Sequence, residues 1–253
     1  MASTPQTSRQ WGLTPPLANT LPTDGEMRLN ESLLAELRIQ NNFESADETE
    51  KRRKVLAHLQ KVTEDFVRHV SKIKGLNPSV VEASGGKVAT YGSYRLGVYG
   101  PGMLCSSQVS SWRDTNKPTG SDIDTLIVAP KHVTRDDFFA HFPKMLEKLS
   151  PTGAIEEITS VADAHVPIIK LMYTGVDIDL IFTALAVSSV PESIDLRDQT
   201  LLRGLSETDL RSINGTRVTD DILSLVPQVK SFRLALRAVK LWAQRKFYST
   251  MHI

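Results

Sequence analysis

Apolar residues recur along this chain with two periods, and the places where the period changes mark its elements. From Glu31 the spacing is helical, with Leu33, Leu34 and Leu37. Ser45, followed three residues later by Glu48, has the form of a capping box opening a second helix. Along that helix Leu56, Leu59, Val62, Phe66 and Val70 make one apolar stripe, and Gly75 is the predicted stop. Beyond Gly85-Gly86 the period shortens. Lys87–Tyr91 predicts a short strand, Gly92-Ser93 a turn into a helix, and Asp122–Ala129 a strand closed by Pro130. Thr134 caps a predicted helix Arg135–Leu149, with a kink expected at Pro143. Ala154–Val161 and Val166–Tyr173 predict two more strands, and Thr174-Gly175 a tight turn into a last one, Val176–Ala184. From Asp220 the helical spacing returns through Ile222, Leu223 and Leu225, then Val229, Phe232, Leu234, Leu236 and Leu241. Residues 1–29, rich in Pro, Thr and Gly, predict an extended arm. Together these elements predict an α+β fold, a mixed sheet with helices packed on it.

Composition narrows the picture only a little. The 253 residues suit one large or two ordinary domains, and 40% hydrophobic with 23% charged residues is near the globular norm. Thirty basic against 29 acidic side chains leave a net charge of +1, so any basic surface for a nucleic acid must be local. The cluster Lys51-Arg52-Arg53-Lys54 interleaves with Glu48 and Glu50, which predicts a solvated helix face. A lone cysteine, Cys105, excludes an internal disulfide framework and an all-cysteine zinc site. No run approaches the roughly 18 apolar residues of a membrane span, and the first ten residues are polar. The expectation is a soluble, intracellular chain with no membrane partner.

The candidate chemistry lies in three places. Gly92-Ser93 follows a strand and opens a helix, where free backbone N–H groups and a side-chain-free residue suit a phosphate. In Asp122-Ile123-Asp124, strand alternation puts both carboxylates on one face, within reach of one hard cation. On the last strand Val176, Ile178, Leu180 and Phe182 share one face while Asp177 and Asp179 share the other, so both remain candidates. Carboxylates on that face are tolerable only if it lines a solvated or metal-filled cleft. Three carboxylates on neighbouring strands beside a phosphate turn suit two divalent cations clamping a nucleotidyl transfer.

Tyr91-Gly92-Ser93-Tyr94-Arg95-Leu96-Gly97-Val98-Tyr99-Gly100-Pro101-Gly102 and Ser121-Asp122-Ile123-Asp124-Thr125-Leu126 resemble the catalytic signature of eukaryotic nuclear poly(A) polymerases, most like the fungal enzymes. Trp11–Pro16, Phe43–Ser45, Ala129–Val133, Val166–Lys170, Asn214–Asp220 and Lys240–Arg245 are similar to further family segments, in the family's order. The resemblance implies a polymerase-beta-like nucleotidyltransferase domain that adds AMP from ATP to RNA 3′ ends. It implies that Asp122, Asp124 and Asp179 hold two Mg²⁺ ions, Mn²⁺ being an alternative, with Asp179 helping to activate the RNA 3′-hydroxyl. Asp179 ranks above Asp177 because the family's third aspartate directly precedes a leucine, as Asp179 precedes Leu180. Nucleotide contacts are implied at Tyr91, Gly92, Ser93, Ser121, the three aspartates, Lys240 and Tyr248. A nuclear location and partnership with mRNA 3′-end processing factors are implied as well.

Two departures from the family pattern shape the expected organisation. Between Gly102 and Ser121 stand 18 residues, 103–120, where the family runs almost directly on. They admit a retained, in-frame intron: Gly102-Met103 fits a donor, Thr115-Asn116 a branch point and Pro118-Thr119 an acceptor. The alternative is a lineage-specific loop, and cDNA across the region separates the two. After Arg245 the family continues into a helical middle domain and an RNA-binding domain, whereas this sequence stops at Ile253. The expected division is an arm over 1–29, a catalytic domain over 30–212 with the insert at 103–120, and the start of a helical central domain over 213–253. Alternatives to polyadenylation are an inactive fragment that binds nucleotide, or a terminal uridylyl or CCA-adding enzyme.

Overall fold

The computed structural model describes residue 18, residues 20–100 and residues 121–250, with side chains through Lys246. Most of the expected arm, the insert 103–120 with Cys105, and the side chain of Tyr248 lie outside the described residues.

In chain order the elements are α1 (Asp24–Ile39), α2 (Ala46–Ile73), α3 (Pro78–Ala83), β1 (Lys87–Thr90), α4 (Gly92–Leu96), β2 (Ile123–Pro130), α5 (Arg135–Leu149), β3 (Ile155–Val161), β4 (Ile168–Tyr173), β5 (Val176–Leu185), α6 (Glu207–Leu225) and α7 (Val229–Thr250). A short 3₁₀ turn, Gln199–Leu202, precedes α6. The five strands form one sheet in the order β1-β2-β5-β4-β3. β2 and β5 run parallel, while the other neighbours are antiparallel, so the sheet is mixed as predicted. Thr174 and Gly175, at φ +48° and +72°, form the two-residue turn between β4 and β5. Two left-handed residues match the twist of the strands they join.

Strand alternation sorts the core onto two sides. Ile123, Ile127, Ile169, Ile178, Leu180 and Phe182 point at α2 and α5, where Phe66 meets Phe138 and Phe142 edge-on and Phe138 stacks on Phe182. On the opposite side Leu126, Val128, Ile181 and Leu185 pack with Ile213 of α6. Burying rings of this size supplies most of the stability of such a layer.

The structure moves several boundaries. α1 begins at Asp24, so residues 24–29 are helical rather than part of an arm: Thr23 and Glu26 form a complete capping box that overrides the weak apolar pattern. At α2 only half of the expected box forms, with Ser45 accepting from the Glu48 backbone N–H. Within the basic cluster, Arg52 is turned inward, ion-paired with Glu44 at 2.6 Å and lying over the Tyr99 ring. Only Lys51, Arg53 and Lys54 behave as the predicted solvated face. α5 runs through Pro143, with Phe142 and Leu146 fully buried beside it. α6 starts thirteen residues before the return of apolar periodicity at Asp220, and it runs unbroken across residues 212–213. The expected division between a catalytic unit and a central one therefore falls inside a helix. Among the described residues no helix is long and apolar enough to cross a membrane.

Candidate active site

Parallel pairing of β2 with β5 places Asp124 directly opposite Asp179. The pairing follows from the connection between them: α5 and the β3–β4 pair carry the chain across the sheet and back, so β5 returns in the same direction as β2. Both carboxylates share the side of the sheet that α6 covers, with Leu126 and Ile181 two positions further along each strand. Asp122, one residue before β2, joins them. One carboxylate oxygen from each of the three lies within 4.8 Å of the others, and all three side chains are half-buried. Asp177, which the sequence left as a rival, pairs with Met172 and is not part of this group.

The glycine turn is built against these carboxylates. Tyr91 donates its backbone N–H to the Asp124 carbonyl, ending β1 beside β2. Gly92 follows at φ +61°, and a Cβ there would stand 2.4 Å from Asp124 Oδ2. Its N–H donates to Thr219 Oγ1 on α6. Ser93 Oγ is buried with no partner among the described residues, so it is available to a water or a ligand oxygen. Ser121 is buried as well, its hydroxyl spanning the N–H and carbonyl of Gly100. It supports the segment leading to Asp122.

Across the cleft stands α7. Arg233, Arg237 and Lys240 donate to the carbonyls of Leu96, Gly97 and Val98 in turn. These three consecutive carbonyls lie at and just beyond the end of α4, and the basic stripe satisfies them. Lys240, singled out by the resemblance, is held by the Val98 carbonyl on the same side as the carboxylates, and its charge bears on Asp124.

Crowding beside two other acids in a half-buried site favours the protonated form of Asp124. Burial first, then the charges of Asp122 and Asp179, push the Asp124 carboxyl up to about 7, with Lys170 and Lys240 opposing the rise. The Tyr91 phenol is pushed well above its ordinary range by burial and by the same three carboxylates, so it stays neutral. Hard oxygen donors with excess negative charge suit a divalent cation such as Mg²⁺ or Mn²⁺.

Three neighbours of the site lie in family-like segments of the sequence that carried no site assignment. Lys170 lies 2.8 Å from Asp179, and the two-residue turn at Thr174-Gly175 fixes that pairing, so counting back from the turn would have found it. Thr219 and Gly215 come from α6, whose polar sequence gave no apolar stripe to place it. A groove of about 940 Å³ beside β1, lined by Gln60, Lys87, Arg95, Asp195 and Asp220 among others, includes none of the three aspartates.

The family described as the poly(A) polymerase nucleotidyltransferase domain matches residues 12–111 and 104–226. Poly(A) polymerase pla1 of Schizosaccharomyces pombe is 48% identical over 240 residues, which is 95% of this chain and 39% of that protein. Poly(A) polymerase PAPalpha of Candida albicans is 47% identical over 239 residues, 94% of this chain and 39% of that one. Among solved structures, one of Cid1, concerned with its RNA terminal uridylyl transferase activity, aligns over 85% of this chain and 47% of its own. That alignment has 16% identity and a TM-score of 0.46. The chain belongs to the nucleotidyltransferases and, within them, to the family of the poly(A) polymerase nucleotidyltransferase domain. It spans about 39% of the length of the curated relatives it matches.

Proposed function

We propose that this chain carries the catalytic centre of a poly(A) polymerase, adding AMP from ATP to RNA 3′ ends without a template. The observation that supports it best is the Asp124–Asp179 register beside Gly92, in a chain 48% identical to a poly(A) polymerase. In this reading Asp122, Asp124 and Asp179 hold two Mg²⁺ ions. When bound, such ions neutralise the attacking and leaving oxygens of a phosphoryl transfer. Asp179, half-buried on β5, helps to activate the RNA 3′-hydroxyl. The Gly92 backbone and Ser93 Oγ receive the triphosphate, and Lys240 meets the nucleotide from α7, with Tyr91, Ser121 and Tyr248 completing the nucleotide site. The same proposal takes the RNA to be pre-mRNA, the location to be nuclear, the partners to be 3′-end processing factors, and residues 213–253 to open a helical central domain.

Purified chain incubated with an oligo(A) primer, Mg²⁺ and each nucleoside triphosphate in turn tests it. ATP-selective extension, lost in Asp122→Ala, is the expected result. UTP-selective extension would make the chain a terminal uridylyl enzyme instead, and ATP binding without extension would leave it a nucleotide-binding chain only.

A further inference from the structure

We infer that Lys170 is a built-in counter-cation of the carboxylate centre, competing with a divalent cation for Asp179 and so setting how tightly the centre takes metal. The inference rests on the reading of the three aspartates as metal ligands.

The β4–β5 turn fixes Lys170 opposite Asp179, and Lys170 Nζ donates to Asp179 Oδ2 at 2.8 Å. Lys170 alternates with Ile169 and Leu171, which point into the α2–α5 core, so it stands on the side of the sheet that carries the three aspartates. Its charge reaches beyond its partner and bears on Asp124 as well. Pairing of this kind takes an acceptor oxygen of one ligand and adds a positive charge beside the other. Both effects oppose a second cation at the same place.

The pair is also built to open. The Lys170 side chain is 43% exposed and Asp179 16%, whereas the locked pair Arg52–Glu44 is 4% and 6% exposed. An ammonium this exposed can swing into water with little change of solvation, on a flexible four-carbon stem. A divalent cation, with twice the charge and three carboxylates to contact, displaces it. The rival arrangement is that Lys170 holds Asp179 in orientation while metal uses the other oxygen. The two differ in sign: a competitor, when removed, leaves metal bound more tightly, and an orienting group leaves it bound more weakly.

The probe is Mn²⁺, titrated into the full 253-residue chain at fixed pH without nucleotide, free ion being read from its electron paramagnetic resonance signal. Lys170→Gln is expected to bind Mn²⁺ roughly three- to fivefold more tightly than wild type, the size appropriate to a part-exposed charge pair. Lys170→Arg, which keeps the charge, should match wild type, and Asp179→Asn should lose most binding. Lys170→Met, retaining the aliphatic stem, repeats the measurement should the glutamine variant fail to unfold cooperatively. Unchanged or weaker binding in the neutral variants overturns the inference while leaving the metal centre intact. Wild-type binding that Asp179→Asn does not reduce overturns the metal reading itself, and the inference with it.

Discussion

A methyl group at position 92 would collide with the Asp124 carboxylate, and the +61° φ there would strain any L side chain as well. Glycine is therefore required twice, once by the turn and once by the acid packed against it. Asp124 itself is set by its surroundings, its carboxyl raised from 3.8 to about 7 by burial and by Asp122 and Asp179. Between those values the folded protein keeps a proton that the unfolded chain has released. The stability this residue contributes is thus fully present below about pH 4 and lost as pH rises through about 7. In EDTA, wild type should lose stability between about pH 4 and pH 8 relative to Asp124→Asn, by roughly 4 kcal/mol at most. Urea midpoints of both proteins across that range check it, and parallel profiles would remove the assignment. The sequence already showed these carboxylates as candidates through strand alternation. It could not separate Asp179 from Asp177 on spacing alone, because both sit on one face of β5; the neighbouring strand makes the choice.

Among the elements, α6 shows where pattern reading stops. Its buried face is made of Ser212, Ile213, Thr216 and Thr219, small and mostly polar, with the hydroxyls of Ser212, Thr216 and Thr219 bonded to the helix's own carbonyls. A helix that packs closely with small residues leaves no apolar stripe, so only its last turns were visible from Asp220 onward. Gly215 belongs to the same close approach, for a Cβ there would stand 2.9 Å from Tyr91 Cδ2. Two effects oppose each other in Gly215→Ala. Helix propensity favours alanine by about 1 kcal/mol, while shifting a buried ring costs typically 1–3 kcal/mol. The ring should win, because Tyr91 is also pinned by its backbone bond to Asp124. Net destabilisation by roughly 1 kcal/mol is expected, together with weaker nucleotide binding; a higher Tm than wild type would show that Tyr91 moves freely. By contrast α2 and α5 were legible almost to the residue, since large side chains at three- and four-residue steps meet a sheet that needs covering.

At the scale of the whole molecule, Arg237 joins parts that lie far apart in sequence. Its guanidinium donates to the Asn42 and Gly97 carbonyls and lies over the rings of Phe43 and Tyr99. The α1–α2 junction, the exit of α4 and the helix bearing Lys240 thereby share one buried group. Arg237→Ala would remove the donor to two carbonyls and the cation over Phe43, while Tyr99 keeps Arg52, an expected cost of about 3 kcal/mol. Arg237→Lys should recover less than half, because one ammonium cannot serve both carbonyls and stack as well. Denaturant unfolding with hydrogen exchange along α7 measures this, and α7 amides as protected as in wild type would contradict it. The chain alone determined the strands, the turns and the helices with large apolar stripes, and which polar residues stand on the same side of a strand, because those depend on neighbours a few positions away. It also determined the resemblance, which the family match then established. Only the tertiary structure decided that Asp124 meets Asp179, that Lys170 sits on the third carboxylate, and that α7 lays its basic stripe on the carbonyls of residues 96–98. Those pairings depend on strand order and helix docking, which are settled by burying the whole core at once and which no local pattern encodes.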